Sequence, residues 1–419
     1  MTNKKFFSAA IAALAAALIF GGCSLLENIG LVSKSSKNSA VSLSDEGLTL
    51  NYSGYGFQAL QTDAERKLYA RIDRALNDQE SPDIVSEALD DVSKIRDVLE
   101  MYKNDFPGVF WIDEKEPYYY AEDSDHGIIK VTIHLKYEGE ALAKAKAQFE
   151  EKIQSVLDGS PTNGSAYERE LYVHNWLIEN CSYDEEAAEL HKSETVRANE
   201  QNAYGAIVEG RAVCEGYARA FQLLCDRLDV PCWVIQGRAE DFGDSENANH
   251  IWNCVELEGE WYQVDVTWDD FDKEEVSDDE QYIYFNITTD MMCEDHTIAP
   301  QYSEYTPDGD WWYNGFVPQC NSTRFYYYSL NALAVDDLDN GDIAPYVAKA
   351  AENFQSCCTF VIGDDYDFMT AYNLIAEQYA YNWISAANDI NGYYPQIGGN
   401  CELSGYDKRR LVTLILDYE

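Results

Sequence analysis

The stretch GRAVCEGYARAF, Gly210 to Phe221, places one cysteine where a glycine turn gives way to an apolar helical pattern. Ala218, Phe221, Leu224, Cys225 and Leu228 recur at three- and four-residue spacing, which predicts a helix. Cys214 falls in its first turn, where free backbone N–H groups and the positive end of the helix dipole stabilise a thiolate. A free cysteine is also commonly a small buried hydrophobe, so this stretch taken alone leaves both readings open.

A nucleophilic thiol needs a base, and the base needs an orienting group. Six histidines are available. His174 and His191 lie in helical patterns, His134 in a strand, and His126 and His296 in acidic turns. His250 differs, because it opens the strand NHIWNCVEL and the next strand, EWYQVDVTW, carries Asp265. A two-residue turn at Glu258-Gly259 makes Leu257 oppose Glu260, Trp252 oppose Asp265 and His250 oppose Thr267. His250 and Asp265 then become diagonal neighbours on one face, near enough for their side chains to meet. The other face collects Ile251, Val255, Leu257, Tyr262, Val264, Val266 and Trp268, so it is expected to pack on the core. The polar pair is expected to face away from the core, toward a cleft, with the thiol exposed on the cleft wall.

YGAIVEGRAVCEGYARAFQLLCDRLDVPCWVIQGRA followed by NHIWNCVELEGEWYQVDVTWDD resembles the core of the transglutaminase-like superfamily over residues 165 to 290. The resemblance implies a papain-like α+β fold with Cys214 as nucleophile, His250 as general base and acid, and Asp265 as orienting group. His250-Ile251-Trp252 departs from the His-Ala-Trp of many members, a change that falls on the apolar face. The first oxyanion donor is expected from the backbone N–H of Cys214. The second is placed at Gln201 or Tyr204, the latter being equally readable as a packed aromatic. The implied chemistry is a thioester formed on protein or peptide amides. Water then gives a protease or amidase, and an amine gives a crosslinking acyltransferase. The other reading is a binding or adhesion protein with a vestigial triad.

The rest of the chain sets the surroundings. At 419 residues there is room for two or three domains, and 46% hydrophobic with 13% aromatic content is ample for packed cores. Net charge is 30 − 75 = −45, which repels nucleic acid and anionic headgroups and argues against a nucleic-acid partner. Lys4 and Lys5 precede an apolar run from Phe6 to Phe20 and then GGCS, the layout of a secretory signal. The ending resembles a bacterial lipoprotein signal, apart from Phe20 where Leu is usual. It implies residues 1–22 as signal, lipid on Cys23, a tether over 23–50 and a cell-surface location, with plain secretion as the alternative. The partners expected are an extracellular protein or peptide substrate and the membrane, through that lipid.

An N-terminal α/β domain is expected over 51–160, the catalytic domain over 161–300 and a small C-terminal α/β domain over 320–419. In the first, Leu60, Ala64, Leu68, Ile72 and Leu76 mark one helix, and Ser81-Pro82 opens a second through Val85, Leu89, Val92 and Leu99. Tyr118–Tyr120 is expected to be strand. In the third, strand–helix–strand–helix–strand is read from STRFYYYSLNALAV to RLVTLILDY. Eleven cysteines show no CxxC pair and no stretch has EF-hand spacing, so neither a metal nor another cofactor is expected. The disulfide pattern stays open.

Overall fold

In the computed structural model the described residues are 50–78, 83–84, 89, 93–123, 127–190, 199–240, 248–270, 281–301, 304–305, 311–399 and 402–418. The signal, Cys23, the tether, His126 and His191 lie outside them. The fold is α+β, as expected. Two compact units are present, one running to Thr267 and resuming over Thr289–Asn321, the other comprising Trp268–Thr288 and Ser322–Glu419.

The first unit opens with α1 (Asp63–Asp78) and α2 (Ser93–Asp105). Ser81 and Pro82, read as a helix start, lie outside the described residues. Asp83–Ile84, within the expected helix, is strand paired with Thr132 and Val131, and the described helix runs from Ser93. β1 (Tyr118–Asp123), containing the three tyrosines, pairs with β2 (Gly127–Ile133) in antiparallel fashion. α3 (Gly139–Asp158) follows, then the DGSPTNGS loop. Ser165 closes that loop and starts α4 (Ala166–Asn180) with a capping box, its hydroxyl accepting from Glu168 N–H while the Glu168 carboxylate accepts from Ser165 N–H.

Next come β3 (Ser182–Tyr183), the short α5 (Glu185–Leu190) and β4 (Arg211–Ala212). β3 and β4 pair in parallel, with Tyr183 against Ala212. α6 (Cys214–Arg227) follows at once and is buried at every position from Cys214 to Cys225, including Glu215, Arg219 and Gln222. Its polar side is therefore a buried ion network rather than a solvated face. Lys103 Nζ on α2 meets Glu114 at 2.8 Å and both Glu100 and Glu215 at 3.3 Å, while Arg219 Nε bonds Glu215 at 2.8 Å.

β5 (Cys232–Ala239), β6 (Ala248–Leu257), β7 (Glu260–Val264) and β8 (His296–Ile298) form an antiparallel array in the order β8-β5-β6-β7. The β6–β7 register is the expected one, from Leu257 opposite Glu260 to Asn253 opposite Val264. Glu258 and Gly259 have φ of 52° and 85°, the doubly positive turn that matches strand twist. Pairing stops at Val264, so Asp265 and Thr267 lie beyond the ladder, and the chain turns helical from Val266. The apolar face packs as anticipated, with Ile251 against Ala218 of α6 and Val234.

In the second unit β9 (Leu333–Val335) crosses through α7 (Ile343–Glu352) to β10 (Cys357–Ile362), a parallel pair. α8 (Phe368–Leu374) and α9 (Ala380–Ile390) are joined by a π-helical turn, Ile375–Tyr379. β11 (Glu402–Tyr406), which carries little apolar signal, adds an edge to β12 (Leu411–Ile415), completing the order β9-β10-β12-β11. Its core gathers Val335, Ile343, Val347, Phe360, Trp383, Ile384, Val412 and Leu414. Each such side chain removed from water contributes about 1.5–3 kcal/mol.

Candidate active site

The site begins where β4 hands over to α6. Val213 is extended and caps the helix without a side-chain bond, leaving the first-turn N–H groups beside the Cys214 thiol uncapped by any side chain. Val213 N–H donates to the carbonyl of Glu200 at 2.9 Å, which ties the nucleophile's turn to the preceding loop. Gly216 is required there: a Cβ would lie 2.6 Å from the Glu200 carbonyl and 2.7 Å from the Ala212 Cβ.

Opposite stands His250 on β6. Its Nε2 donates to Asp265 Oδ2 over 2.5 Å, and the Cys214 side chain acts on the same ring, favouring its charged form. With Nε2 committed to the carboxylate, Nδ1 is the nitrogen left for the thiol. Burial works against charging His250, but Asp265 and then Cys214 outweigh it and lift its pKa to about 9. Burial likewise opposes charge on Asp265, yet His250 and His296 hold the carboxylate well below its usual range.

The cleft-facing expectation is corrected. Cys214 is 1% exposed, and His250 and Asp265 are fully buried. The hairpin face bearing His250 continues through Trp252 and Cys254, both buried, and Cys254 lies against Cys320. Both faces of the sheet are thus covered, because the chain returns over this one after Thr289. Cys214 belongs to an apolar cluster with Ala187, Ala188 and Val213, against which Tyr183 packs.

His296, read from sequence as part of an acidic turn, belongs to this site. It opens β8, opposite Ala239 of β5. Its Nε2 lies 3.2 Å from Asp265 Oδ2 and its Nδ1 2.7 Å from Asp295 Oδ1. Both partners are carboxylates, which favours a proton on each ring nitrogen. Burial opposes that charge, but the bonds to Asp265 and Asp295 raise its pKa nonetheless. Trp252 supports both imidazoles, stacked on His250 at 5.8 Å and edge-on to His296 at 5.1 Å. Its indole N–H is held by Gln263 at 2.8 Å. Gly237, opposite His250 on β5, lets this happen: a Cβ would sit 2.2 Å from the Thr297 carbonyl and 2.5 Å from the Trp252 ring.

Residues 154–266 match the family model described as "Transglutaminase-like superfamily". Over that segment the chain is similar to transglutaminase-like proteins. It is also similar to kyphoscoliosis peptidase from Homo sapiens, 28% identical over 130 residues, covering 30% of this chain and 18% of that protein. The Mus musculus kyphoscoliosis peptidase is 30% identical over 110 residues, covering 25% of this chain and 16% of the relative. The match therefore spans less than a fifth of either relative. Among solved structures, one described as a crystal structure of a TGase aligns with TM-score 0.26 and 13% identity, over 44% of this chain and 50% of that one. A putative cysteine protease from Cytophaga hutchinsonii aligns with TM-score 0.22 and 17% identity, over 32% of this chain and 43% of its own.

Within the matched segment the structure brings Cys214, His250 and Asp265 together. His296 lies beyond the matched residues. Tyr204 sits between Phe110 and Phe149, at 4.6 and 5.6 Å, with its hydroxyl on Gln148, in the packed-aromatic role. Gln201 is buried in the loop that also supplies the Glu200 carbonyl to Val213. His250, Asp265 and His296 offer three ligand atoms within 4.8 Å of one another. Oδ2 of Asp265 already accepts from both rings, so the cluster is satisfied as a hydrogen-bond chain.

Proposed function

We propose that this chain is a cysteine enzyme of transglutaminase-like type acting on carboxamide or peptide carbonyls. The observation that carries the reading is a single buried imidazole bonded to a carboxylate through Nε2 and acted on by a helix-terminal thiol. Cys214 Sγ attacks the carbonyl carbon, and the carbonyl electron pair moves onto oxygen, held by the N–H of Cys214. When the intermediate collapses, the C–N bond breaks and His250 gives its proton to the departing amine. Asp265 holds the imidazole in register, and His296, itself fixed by Asp295, holds the carboxylate.

The thioester is resolved by water, as in a protease or amidase, or by a primary amine, as in a crosslinking enzyme. We place the enzyme at the cell surface, exported and lipid-anchored through Cys23, with extracellular protein as substrate.

The test offers a glutamine-containing peptide with and without a fluorescent primary amine and follows ammonia, incorporated label and cleavage. Ammonia or cleavage without amine indicates hydrolysis, and label in the peptide indicates transfer. Cys214→Ala is expected to abolish every product while leaving the thermal midpoint within a few degrees. Undiminished turnover in that variant would remove the assignment and leave a binding or adhesion protein.

A further inference from the structure

The thioacyl reaction needs a second donor for its tetrahedral oxygen, and the Tyr204 hydroxyl is already engaged with Gln148. Another phenol is better placed. Tyr183 packs against the cluster formed by Ala187, Ala188, Val213 and Cys214, and the charge of Cys214 acts on its phenol. Its hydroxyl is sealed from solvent and has no hydrogen-bond partner among the described residues. A buried hydroxyl left unbonded is destabilising, so it persists where something else requires it.

The backbone around Tyr183 is fixed. Ser182 N–H donates to the Gly210 carbonyl at 3.0 Å and Asp184 N–H to the Ala212 carbonyl at 2.9 Å, so Tyr183 is strapped to the two residues just ahead of the nucleophile's turn. The Asp184 carboxylate also accepts from Ala187 N–H at 3.0 Å and from Arg211 at 3.3 Å. Such a donor is preorganised and needs no rearrangement during the reaction.

We propose that Tyr183 is a catalytic residue whose phenol O–H donates to the substrate's carbonyl oxygen as it becomes the oxyanion, beside the backbone N–H of Cys214. The proposal rests on the reading of Cys214 as nucleophile. Tyr183 transfers no proton: the S–C bond forms, the carbonyl pair rests on an oxygen held by two donors, and on collapse the C=O bond is restored as the leaving group departs. Burial first, then the negative charges of Cys214, Asp265, Asp184 and Glu185, pushes the phenol's pKa well above its ordinary value, which keeps it a donor. Arg211, paired with Asp184, is a further charged group beside that strap.

Two reactions of the same sulfur separate this role from a structural one. Acylation by p-nitrophenyl acetate passes through an oxyanion; alkylation by iodoacetamide displaces iodide at a saturated carbon and does not. Both are followed at Cys214 by peptide mapping, because Cys293 is an exposed thiol. In the full chain, Tyr183→Phe is expected to slow acylation about a hundredfold. Alkylation should stay within about twofold, and the thermal midpoint should hold or rise. An undiminished acylation rate, a matching fall in both rates, or a lowered midpoint would overturn the proposal. Release of p-nitrophenolate by Cys214→Ala at the parental rate would instead overturn the nucleophile itself. An inert Cys214→Ala beside a fully active Tyr183→Phe removes Tyr183 alone.

Discussion

At the scale of single residues the site is a chain of donors and acceptors running His250, Asp265, His296, Asp295, with Cys214 acting on the His250 ring. Its centre is one carboxylate oxygen shared by two imidazoles, which is why Asp265 stays ionised in spite of burial. The pH consequence follows from His250. Its cation persists up to about 9, so ammonia release from a glutamine peptide should hold to that pH and fall above it. Asp265→Asn removes the carboxylate, and the alkaline limb should move down toward 6.5, the ordinary imidazole value. A limb unchanged by Asp265→Asn would mean that another group sets it. The same shift acts on stability: its contribution is complete below pH 6.5 and is lost as pH rises through about 9.

At the scale of elements, the nucleophile's helix was legible from apolar spacing, but its fully buried state was not. Glu215, Arg219 and Gln222 form a polar side of that helix, buried by the arrival of α2. Lys103 then sits among Glu100, Glu114 and Glu215. Lys103→Met leaves those carboxylates without their shared cation. Urea unfolding should register a loss of about 3–5 kcal/mol, the usual cost of breaking a buried ion cluster from one side. A loss under about 1 kcal/mol would show that water reaches the cluster. The β6–β7 hairpin was legible for a different reason, since period-two alternation with a two-residue turn permits few registers. The same alternation did not reveal what covers the His250 face. Trp252 and Cys254 on that face were the available signal of burial.

At the scale of the whole molecule, charge is the property that sequence alone settles. Thirty basic against seventy-five acidic residues make the compact state self-repelling. Raising sodium chloride from about 20 to about 300 mM should therefore raise the thermal midpoint through screening. A flat or falling midpoint would mean that specific surface ion pairs outweigh the net repulsion. Hairpin parity thus determined the β6–β7 register and, with the helix-mouth cysteine, singled out Cys214, His250 and Asp265 as candidates, while the α+β class followed from the resemblance to the transglutaminase-like superfamily. The register and the candidates are encoded by local spacing, which needs no knowledge of distant partners. Tertiary structure alone decided the rest. His296 comes from a three-residue strand that follows Asp265 only after a long excursion, and Tyr183 from a two-residue ladder at the foot of α6. Elements that short carry no periodicity. Their side chains acquire a role only when long-range pairing brings them against groups that leave a charge or a hydrogen bond to be satisfied.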